Sequence, residues 1–376
     1  MPVRIDGTGS VSGLTNYTAE NFTTTDLTVT EDITNPSFNA LEVSPRNLII
    51  NGSMQVAQRG TSATGVTGPG YTTVDRFSSF IINLGTWDVE QSTDAPAGFA
   101  FSKKLTCTTA DVTPAASDRL NISYVFEGND LVPALTTGGG MRSLSFSFWV
   151  KSNKTGEACI NVYQTYNSLS TVVLRYNITA ADTWQKVDLT IPADPSAVIP
   201  IDNNGSIVIE YWLNSGSDFQ GGVEQGSWSP MVNANRNAVN LGVGGATSDY
   251  FAITGVQLTA TDTPVTFQHE DYATTLAKCQ RYYDKKSLQR QVMVYTSNNN
   301  FYQATVHWHQ VMRAQPSVSF STNLIDTQPG GTDINPIANN IDDQMCRIYT
   351  PTTISNGWNS IILNSGIFYI LADAEL

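Results

Sequence analysis

The sequence is poor in charged residues, and positive charge is scarcer than negative charge. Only 14% of its 376 residues are charged, with 20 Lys and Arg against 33 Asp and Glu, which gives a formal net charge of −13. Proteins bind nucleic acid non-specifically by neutralising phosphates with Lys and Arg, so this composition argues against a DNA or RNA partner. Few Lys and Glu also disfavour solvent-exposed helices, whereas abundant Thr, Ser, Asn and Gly favour strands and turns.

Cysteine is rare, and long apolar runs are missing. The four cysteines are Cys107, Cys159, Cys279 and Cys346, and no two form a CxxC pair. This spacing predicts buried free thiols rather than a disulfide framework. No charged segment followed by an apolar one opens the chain, and no apolar run reaches the roughly eighteen residues of a membrane helix. We therefore expect neither a secretory signal nor a membrane span.

Catalytic motifs are also missing. The sequence contains no GxSxG, no HExxH and no P-loop. A glycosidase would place two carboxylates across a glycosidic bond, and carboxylates are present, but their number alone decides nothing without geometry. We predict that the protein is not an enzyme.

Residues 1–45 differ from the rest of the chain. A turn-rich start is followed by FTTTDLTVTEDIT, in which Leu27 and Val29 alternate with threonines. One such strand has too little apolar surface to fold alone, but it would be stable in a trimer or docked on another protein. We interpret residues 1–45 as an arm for attachment or trimerisation; the alternative is a frayed terminus.

Residues 46–268 predict a β-sandwich, since many short strands are separated by Gly, Pro, Asn and Asp clusters. In the segment Ser145–Ser152, Phe146 and Phe148 would share one strand face and Trp149 the other. The second face of several such strands mixes an aromatic ring with polar groups.

Residues 269–289 predict a linking helix, and residues 290–376 a C-terminal β-domain. The helical period extends over 269–285, where apolar residues recur at spacings of four, three and four. The residues of this stripe are Tyr272, Leu276, Cys279 and Tyr283.

Several segments together resemble bacteriophage tail-fibre and related virion proteins with a jelly roll like that of carbohydrate-binding modules. The resemblance covers roughly residues 46–283. The segments are NLIINGSMQVAQRG from Asn47, GYTTVDRF from Gly70, Glu127-Gly128, SFSFWVKS from Ser145, FAITGVQL from Phe251 and CQRYY from Cys279, together with the ADAEL ending.

The resemblance implies an all-β, jelly-roll β-sandwich in a virion protein of the fibre or spike type. Such a protein is made in the bacterial cytoplasm, forms a homotrimer, attaches to other virion proteins through residues 1–45 and recognises host-surface polysaccharide by multivalent weak sites. Two alternatives remain open. One is a purely structural head or neck decoration or tail adaptor, and the other is a glycan-degrading tail spike, although long β-helix repeats are missing.

Aromatic rings on the mixed strand faces are candidates for stacking on sugars, whose hydroxyls bond to Asn and Glu side chains. The candidate glycan-binding residues are Trp149, Tyr163, Trp212 and Trp228, with Asn161 and Glu210. Each of the two polar residues shares its predicted strand face with one of the rings. The alternative is that the rings pack under loops or against a neighbouring subunit.

No cofactor is expected, but two metal sites are conceivable. His307 and His309 would share one face of a strand, and a symmetric trimer would bring six imidazoles together for a transition metal. The alternative is two exposed polar residues. A structural Ca²⁺ would lie between a short strand at Leu48–Ile50 and the strand at Phe251–Leu258, as in many carbohydrate-binding jelly rolls. Gln55, at a position where such modules often carry an acidic residue, argues against it.

Overall fold

The computed structural model describes most of the chain from residue 46 onwards. The described residues are 46–166, 169–288, 292–296, 303–321, 324–326, 333–334, 336–349, 357–363 and 368–376. Contacts group Pro45–Leu376 into one compact unit. The predicted arm at residues 1–45 lies outside the described residues.

The described residues between 62 and 259 form a run of antiparallel strands. They are β1 Ser62–Val66, β2 Ser78–Ile82, β3 Thr86–Ser92, β4 Ser102–Thr109, β5 Arg119–Glu127, β6 Leu144–Ser152, β7 Gly156–Gln164, β8 Ser170–Ile178, β9 Gln185–Ile191, β10 Gly205–Ser215, β11 Ser229–Pro230 and β12 Tyr250–Thr259. Within the described residues, two short 3₁₀ helices occur at Gly128–Ala134 and Ser217–Phe219.

These strands build two six-stranded sheets that enclose the main core. The first sheet has the order β1-β3-β4-β12-β6-β9, and the second β11-β8-β7-β10-β5-β2. Phe148 of the first sheet meets Tyr211 of the second edge to face, with ring centroids 5.1 Å apart. Phe146, Phe148 and Val150 are fully buried, while Trp149 between the last two is half-buried, as the alternation predicts. The predicted all-β jelly-roll sandwich is confirmed.

The segment Leu48–Ile50 is a turn and not the predicted strand. Its side chains are nevertheless buried, because Asn47 fixes the turn against β12. The Asn47 side chain accepts hydrogen bonds from the backbone N–H groups of Ile49 and Leu258, each over 3.0 Å. Gly52, at the end of this turn, lies so close to β12 that no side chain fits. A Cβ at this position would lie 2.0 Å from the carbonyl oxygen of Val256.

Two α-helices occur in the described residues, α1 at Asn233–Arg236 and α2 at Tyr272–Gln280. The predicted helix over 269–285 was too long. Asp271 caps α2 by accepting a hydrogen bond from the backbone N–H of Thr274 over 3.0 Å. The predicted stripe is wrong at both ends, since Tyr272 is 54% exposed and Tyr283 opens a strand.

The described strands after α2 pair in three smaller sheets. They are β13 Tyr283–Leu288, β14 Val292–Thr296, β15 Gln303–His307, β16 Ser317–Phe320, β17 Leu324–Asp326, β18 Asp333–Ile334, β19 Ile337–Asn339, β20 Met345–Tyr349, β21 Gly357–Leu363 and β22 Phe368–Asp373. The sheet orders are β13-β22-β16, β14-β21-β17-β18 and β15-β20-β19. A small core beneath these strands includes Trp308, Met312, Cys346 and Ile370.

Four charged side chains connect the sandwich to the end of β22, and we call them the clasp: Arg59, Arg76, Asp373 and Glu375. Arg59 pairs with Asp373 over 2.9 Å and with Glu375 over 3.4 Å. Arg76 is fully buried, pairs with Glu375 and has its guanidinium carbon 3.4 Å from the centroid of the Tyr282 ring. Because both guanidinium groups are paired, the clasp carries no uncompensated buried cation.

All four cysteines are buried and free, as predicted. Within the described part of the chain, no helix has the length and apolarity that crossing a membrane requires.

Candidate functional site

The outer face of the second sheet brings aromatic, hydroxyl and charged side chains together. In the strand register, Glu210 of β10 stands opposite Ser123 of β5 on one side and Asn161 of β7 on the other. Two residues earlier on the same face of β10, Val208 stands opposite Tyr163 of β7. Core residues alternate with these positions, so the face turned away from the core carries the polar groups.

This face forms an open groove with a volume of about 330 Å³. We call it the β5–β10 groove, and its lining includes Ser78, Phe80, Arg119, Ser123, Tyr163, Glu210 and Arg236. The volume lies at the lower end of the range typical of ligand sites.

Glu210 is held by the protein itself. Its carboxylate accepts hydrogen bonds from Arg236 over 2.9 and 2.8 Å, from Asn161 over 2.9 Å and from the indole N–H of Trp212 over 3.0 Å. The residue is only 6% exposed. A buried carboxylate needs such partners, because desolvation of an unpaired charge is costly. Glu210 therefore has little accepting capacity left for a ligand.

Asn161 and Trp212 lie beneath the surface of the groove. Asn161 is fully buried and accepts a hydrogen bond from the Thr171 hydroxyl over 2.6 Å. Trp212 is also fully buried, with its ring centroid 5.3 Å from that of Phe219. A sugar cannot stack on a ring that is covered in this way. For Trp212 the alternative interpretation, packing under a loop, describes the structure.

Tyr163 is half-buried and lines the groove, with the guanidinium carbon of Arg236 5.7 Å from its ring centroid. Burial raises the pKa of Tyr163, and the carboxylate of Glu210 raises it further, so the hydroxyl stays protonated at neutral pH. No described residue hydrogen-bonds to this hydroxyl within 3.5 Å. The ring face and the hydroxyl are both suited to a ligand.

Phe80 and Arg119 complete the groove at the β2 and β5 side. The guanidinium carbon of Arg119 lies 4.7 Å from the centroid of the Phe80 ring and 5.3 Å from that of Phe219. Burial lowers the pKa of Arg119, as does the nearby cation of Arg236, while Glu210 opposes the shift. The group remains a cation, because the pKa of a guanidinium lies far above neutral pH.

Two of the predicted aromatic residues lie away from the groove. Trp149 is on β6 of the first sheet, where its Cδ1 would be 2.9 Å from a Cβ at Gly255. Trp228 packs against the main core and donates a hydrogen bond to the carbonyl of Pro192 over 2.8 Å. Trp149 and Trp228 therefore do not join Tyr163 in one groove, because alternation assigns a face of a strand but not a sheet. Glycan binding by Trp149 and Trp228 stays a prediction.

Phe80 and Arg119 were missed by the sequence analysis. Phe80 alternates with the buried Ile81 in β2, and this local pattern is the signal that would have placed Phe80 on an outer face. Arg119 opens β5 and has no distinguishing local pattern. Its position next to Phe80 depends on the pairing of β2 with β5.

Val306 and Trp308 are buried and alternate with His307 and His309, as predicted. β15 ends at His307, and both histidines are exposed. Nδ1 of His309 lies 2.7 Å from Oδ1 of the buried Asp284, whose Oδ2 accepts a hydrogen bond from the His309 backbone N–H over 2.7 Å. These contacts hold His309 in the bend after β15. A metal shared across a trimer stays a prediction.

Gln55 is engaged by α2 and not by the predicted calcium position. Its Nε2 donates hydrogen bonds to the hydroxyl of Thr275 over 2.8 Å and to the carbonyl of Glu270 over 3.2 Å. Across the part of the chain that the structure covers, His, Cys, Asp and Glu side chains form no group of three or more that could hold a metal ion. The structural Ca²⁺ stays a prediction.

No family model matches this chain, and no curated protein matches it in sequence. Solved structures with a similar fold include the enzymatically active domain of a bacteriophage CBA120 tailspike protein (15% identity, TM-score 0.30, 57% of this chain and 21% of that one). A family 30 carbohydrate-binding module is 10% identical, with a TM-score of 0.29 over 61% of this chain and 94% of that one. A family 11 module from Clostridium thermocellum, in complex with a beta-1,3-1,4-mixed-linked tetrasaccharide, is 8% identical, with a TM-score of 0.27 over 53% of this chain and 96% of that one. This chain thus spans about a fifth of the tailspike domain. Similarity this low assigns no ligand.

Proposed function

We propose that this chain is a bacteriophage virion protein of the fibre or spike type, and that it binds host-surface polysaccharide in the β5–β10 groove. The observation that carries the proposal is the groove itself. It places the rings of Phe80 and Tyr163 beside hydroxyl and guanidinium donors on an open sheet face. Sugars stack their C–H faces on aromatic rings and hydrogen-bond through their hydroxyls, so the two kinds of group together fit a saccharide.

The proposed activity is binding without catalysis. Glycosidases need a carboxylic acid and a second carboxylate that can meet the scissile bond. The one side-chain carboxylate that lines the groove among the described residues is that of Glu210, and it is occupied by hydrogen bonds from Arg236, Asn161 and Trp212. A group held in this way supports the shape of the groove rather than a reaction.

The virion role rests on the resemblance of residues 46–283 to phage tail-fibre proteins. In this proposal residues 1–45 attach the chain to other virion proteins, and three chains form a homotrimer. Weak individual sites then gain avidity because the copies are held at fixed spacing. Sedimentation of the purified full chain tests the trimer, with an expected mass of three times 40.8 kDa. A monomer at micromolar concentration would contradict it.

Binding is tested with an array of bacterial surface polysaccharides and with intact bacteria. The wild-type chain should bind specific members, and Tyr163→Ala and Phe80→Ala should each raise the Kd by about tenfold, as expected for the loss of one stacked ring. Far-ultraviolet circular dichroism and sedimentation check that each variant keeps its fold and oligomeric state.

Trp149→Ala is the matched control, since it also removes a half-buried ring but from the first sheet. It should bind like the wild type. Binding that is lost in Trp149→Ala and kept in both groove variants would move the site to the first sheet. A folded wild-type chain that binds no polysaccharide and no bacterium would contradict the proposal and favour a purely structural decoration or adaptor.

A further inference from the structure

The β5–β10 groove is locally positive, although the chain carries a net charge of −13. Its lining contains three charged side chains among the described residues, Arg119, Glu210 and Arg236. The carboxylate of Glu210 and the guanidinium of Arg236 are 2.8 Å apart and neutralise each other. The positive charge of Arg119 is therefore not neutralised by another side chain of the described groove lining.

Arg119 has no carboxylate partner among the described residues. No acidic oxygen of a described residue lies within 4.0 Å of its guanidinium nitrogens, and no described acceptor receives a hydrogen bond from it. The rings of Phe80 and Phe219 cover the guanidinium at 4.7 and 5.3 Å. Aromatic rings contact a guanidinium through its faces or edge and leave N–H groups free to bind an anion.

The surroundings of Arg119 favour an added anion. Partial burial and the second cation of Arg236 both lower the pKa of Arg119, which means that the site disfavours its own positive charge. An anion bound at the guanidinium would reverse this. Guanidinium–carboxylate pairs are also bidentate, so they fix orientation as well as adding affinity.

Unpartnered donors lie beside the groove. Asn121 stands between Arg119 and Ser123 on the same face of β5 and is 1% exposed, yet its Nδ2 has no partner among the described residues. Nε of Arg236 is also buried without a partner. Both groups are buried donors without an acceptor, which is uncommon for buried polar atoms.

We infer that the β5–β10 groove selects acidic saccharides, and that the carboxylate of a uronic or related acidic sugar pairs with Arg119. This inference rests on the proposed function, which it narrows to one class of polysaccharide. The sugar ring stacks on Tyr163 while the carboxylate reaches Arg119, so neutral polymers of the same linkage bind more weakly.

The test is an array in which each bacterial polysaccharide is present in its native form and in a carboxyl-reduced form. Carbodiimide activation followed by borohydride converts uronic acids to neutral sugars, while sulfate and phosphate groups remain. We expect the wild-type chain to bind native acidic polymers at least tenfold more tightly than their reduced forms. Arg119→Gln should remove most of this preference, and Arg119→Lys should restore part of it.

Arg142→Gln is the control, because it removes one positive charge from an exposed position away from the groove. It should keep the wild-type preference. Equal binding of native and reduced forms by the wild type would overturn this inference and leave glycan binding intact. If the wild type still prefers sulfated or phosphorylated polymers after their carboxyl groups have been reduced, the recognised group is a sulfate or phosphate. That result would also overturn this inference. A folded wild-type chain that binds neither form would overturn the proposed function and this inference together.

Discussion

Arg236 donates hydrogen bonds to both carboxylate oxygens of Glu210, over 2.9 and 2.8 Å, and each of the two side chains is less than a tenth exposed. The pair connects β10, in the interior of the second sheet, to α1. A helix of four residues has no stability of its own, so tertiary contacts of this kind must hold it. The ion pair thereby fixes one wall of the β5–β10 groove.

Glu210→Gln is expected to lower the free energy of unfolding by about 3 kcal/mol or more, because it leaves the buried Arg236 without a counter-charge. Urea unfolding followed by tryptophan fluorescence measures the change. Asp188→Asn is the control, since Asp188 pairs with Lys186 over 2.8 Å with both side chains 39% exposed. Its effect should stay below about 1 kcal/mol. If Glu210→Gln unfolds at the same urea concentration as the wild type, the ion pair of Glu210 with Arg236 does not stabilise the fold.

Asp75 is expected to make stability depend on pH. Burial raises its pKa from 3.8 to about 6, against the opposing effect of hydrogen bonds from Gln58 and the cation of Arg59, while Glu375 adds to the rise. The folded chain therefore binds more protons than the unfolded chain between about pH 4 and pH 6, so the contribution of Asp75 is lost as the pH rises through this window.

Asp75→Asn keeps the shape of the side chain but cannot ionise. The unfolding free energy of Asp75→Asn minus that of the wild type should increase from pH 4 to pH 7, because only the wild type loses stability as Asp75 ionises. Urea unfolding of both proteins at four pH values gives this difference, and other titrating groups cancel in it. A difference that is the same at every pH would show that Asp75 titrates normally.

Gly52→Ala is expected to destabilise the chain by about 1–3 kcal/mol, as overpacking does in a closed site. The new Cβ would lie 2.0 Å from the carbonyl oxygen of Val256, so the turn before β1 or β12 must shift. Gly68→Ala serves as the comparison, because a Cβ at that position meets no atom within 4 Å. Thermal unfolding compares the two variants, and equal midpoints would contradict the close approach of Gly52 to β12.

Strand faces were predictable from the sequence, because the alternation of side chains in a strand is local. Phe146 and Phe148 enter the core and Trp149 faces out, as the period of two requires. The same rule placed Glu210 and Tyr163 on outward faces, and both line the groove.

The composition of the groove was not predictable, because it depends on which strands pair. Phe80 comes next to Arg119 through the register of β2 with β5, in which Phe80 stands opposite Asn121. The periodicity of β10 correctly predicted that Trp212 points away from the main core. The 3₁₀ helix that contains Phe219 nevertheless covers its ring. Covering of an outward face by a distant segment leaves no trace in the alternation of the strand.

The clasp has a consequence for biosynthesis. Arg76 lies within the sandwich, and its carboxylate partner Glu375 comes 299 residues later in the chain. A ribosome releases the sandwich strands long before that partner, so the buried arginine stays without a counter-charge until residue 375 has emerged. The ion pair of Arg76 therefore forms only after residue 375 has been synthesised, and a copy truncated before residue 375 leaves a buried guanidinium without a counter-charge. Because Glu375 pairs with Arg59 as well, the same truncation removes an acidic partner from both clasp arginines.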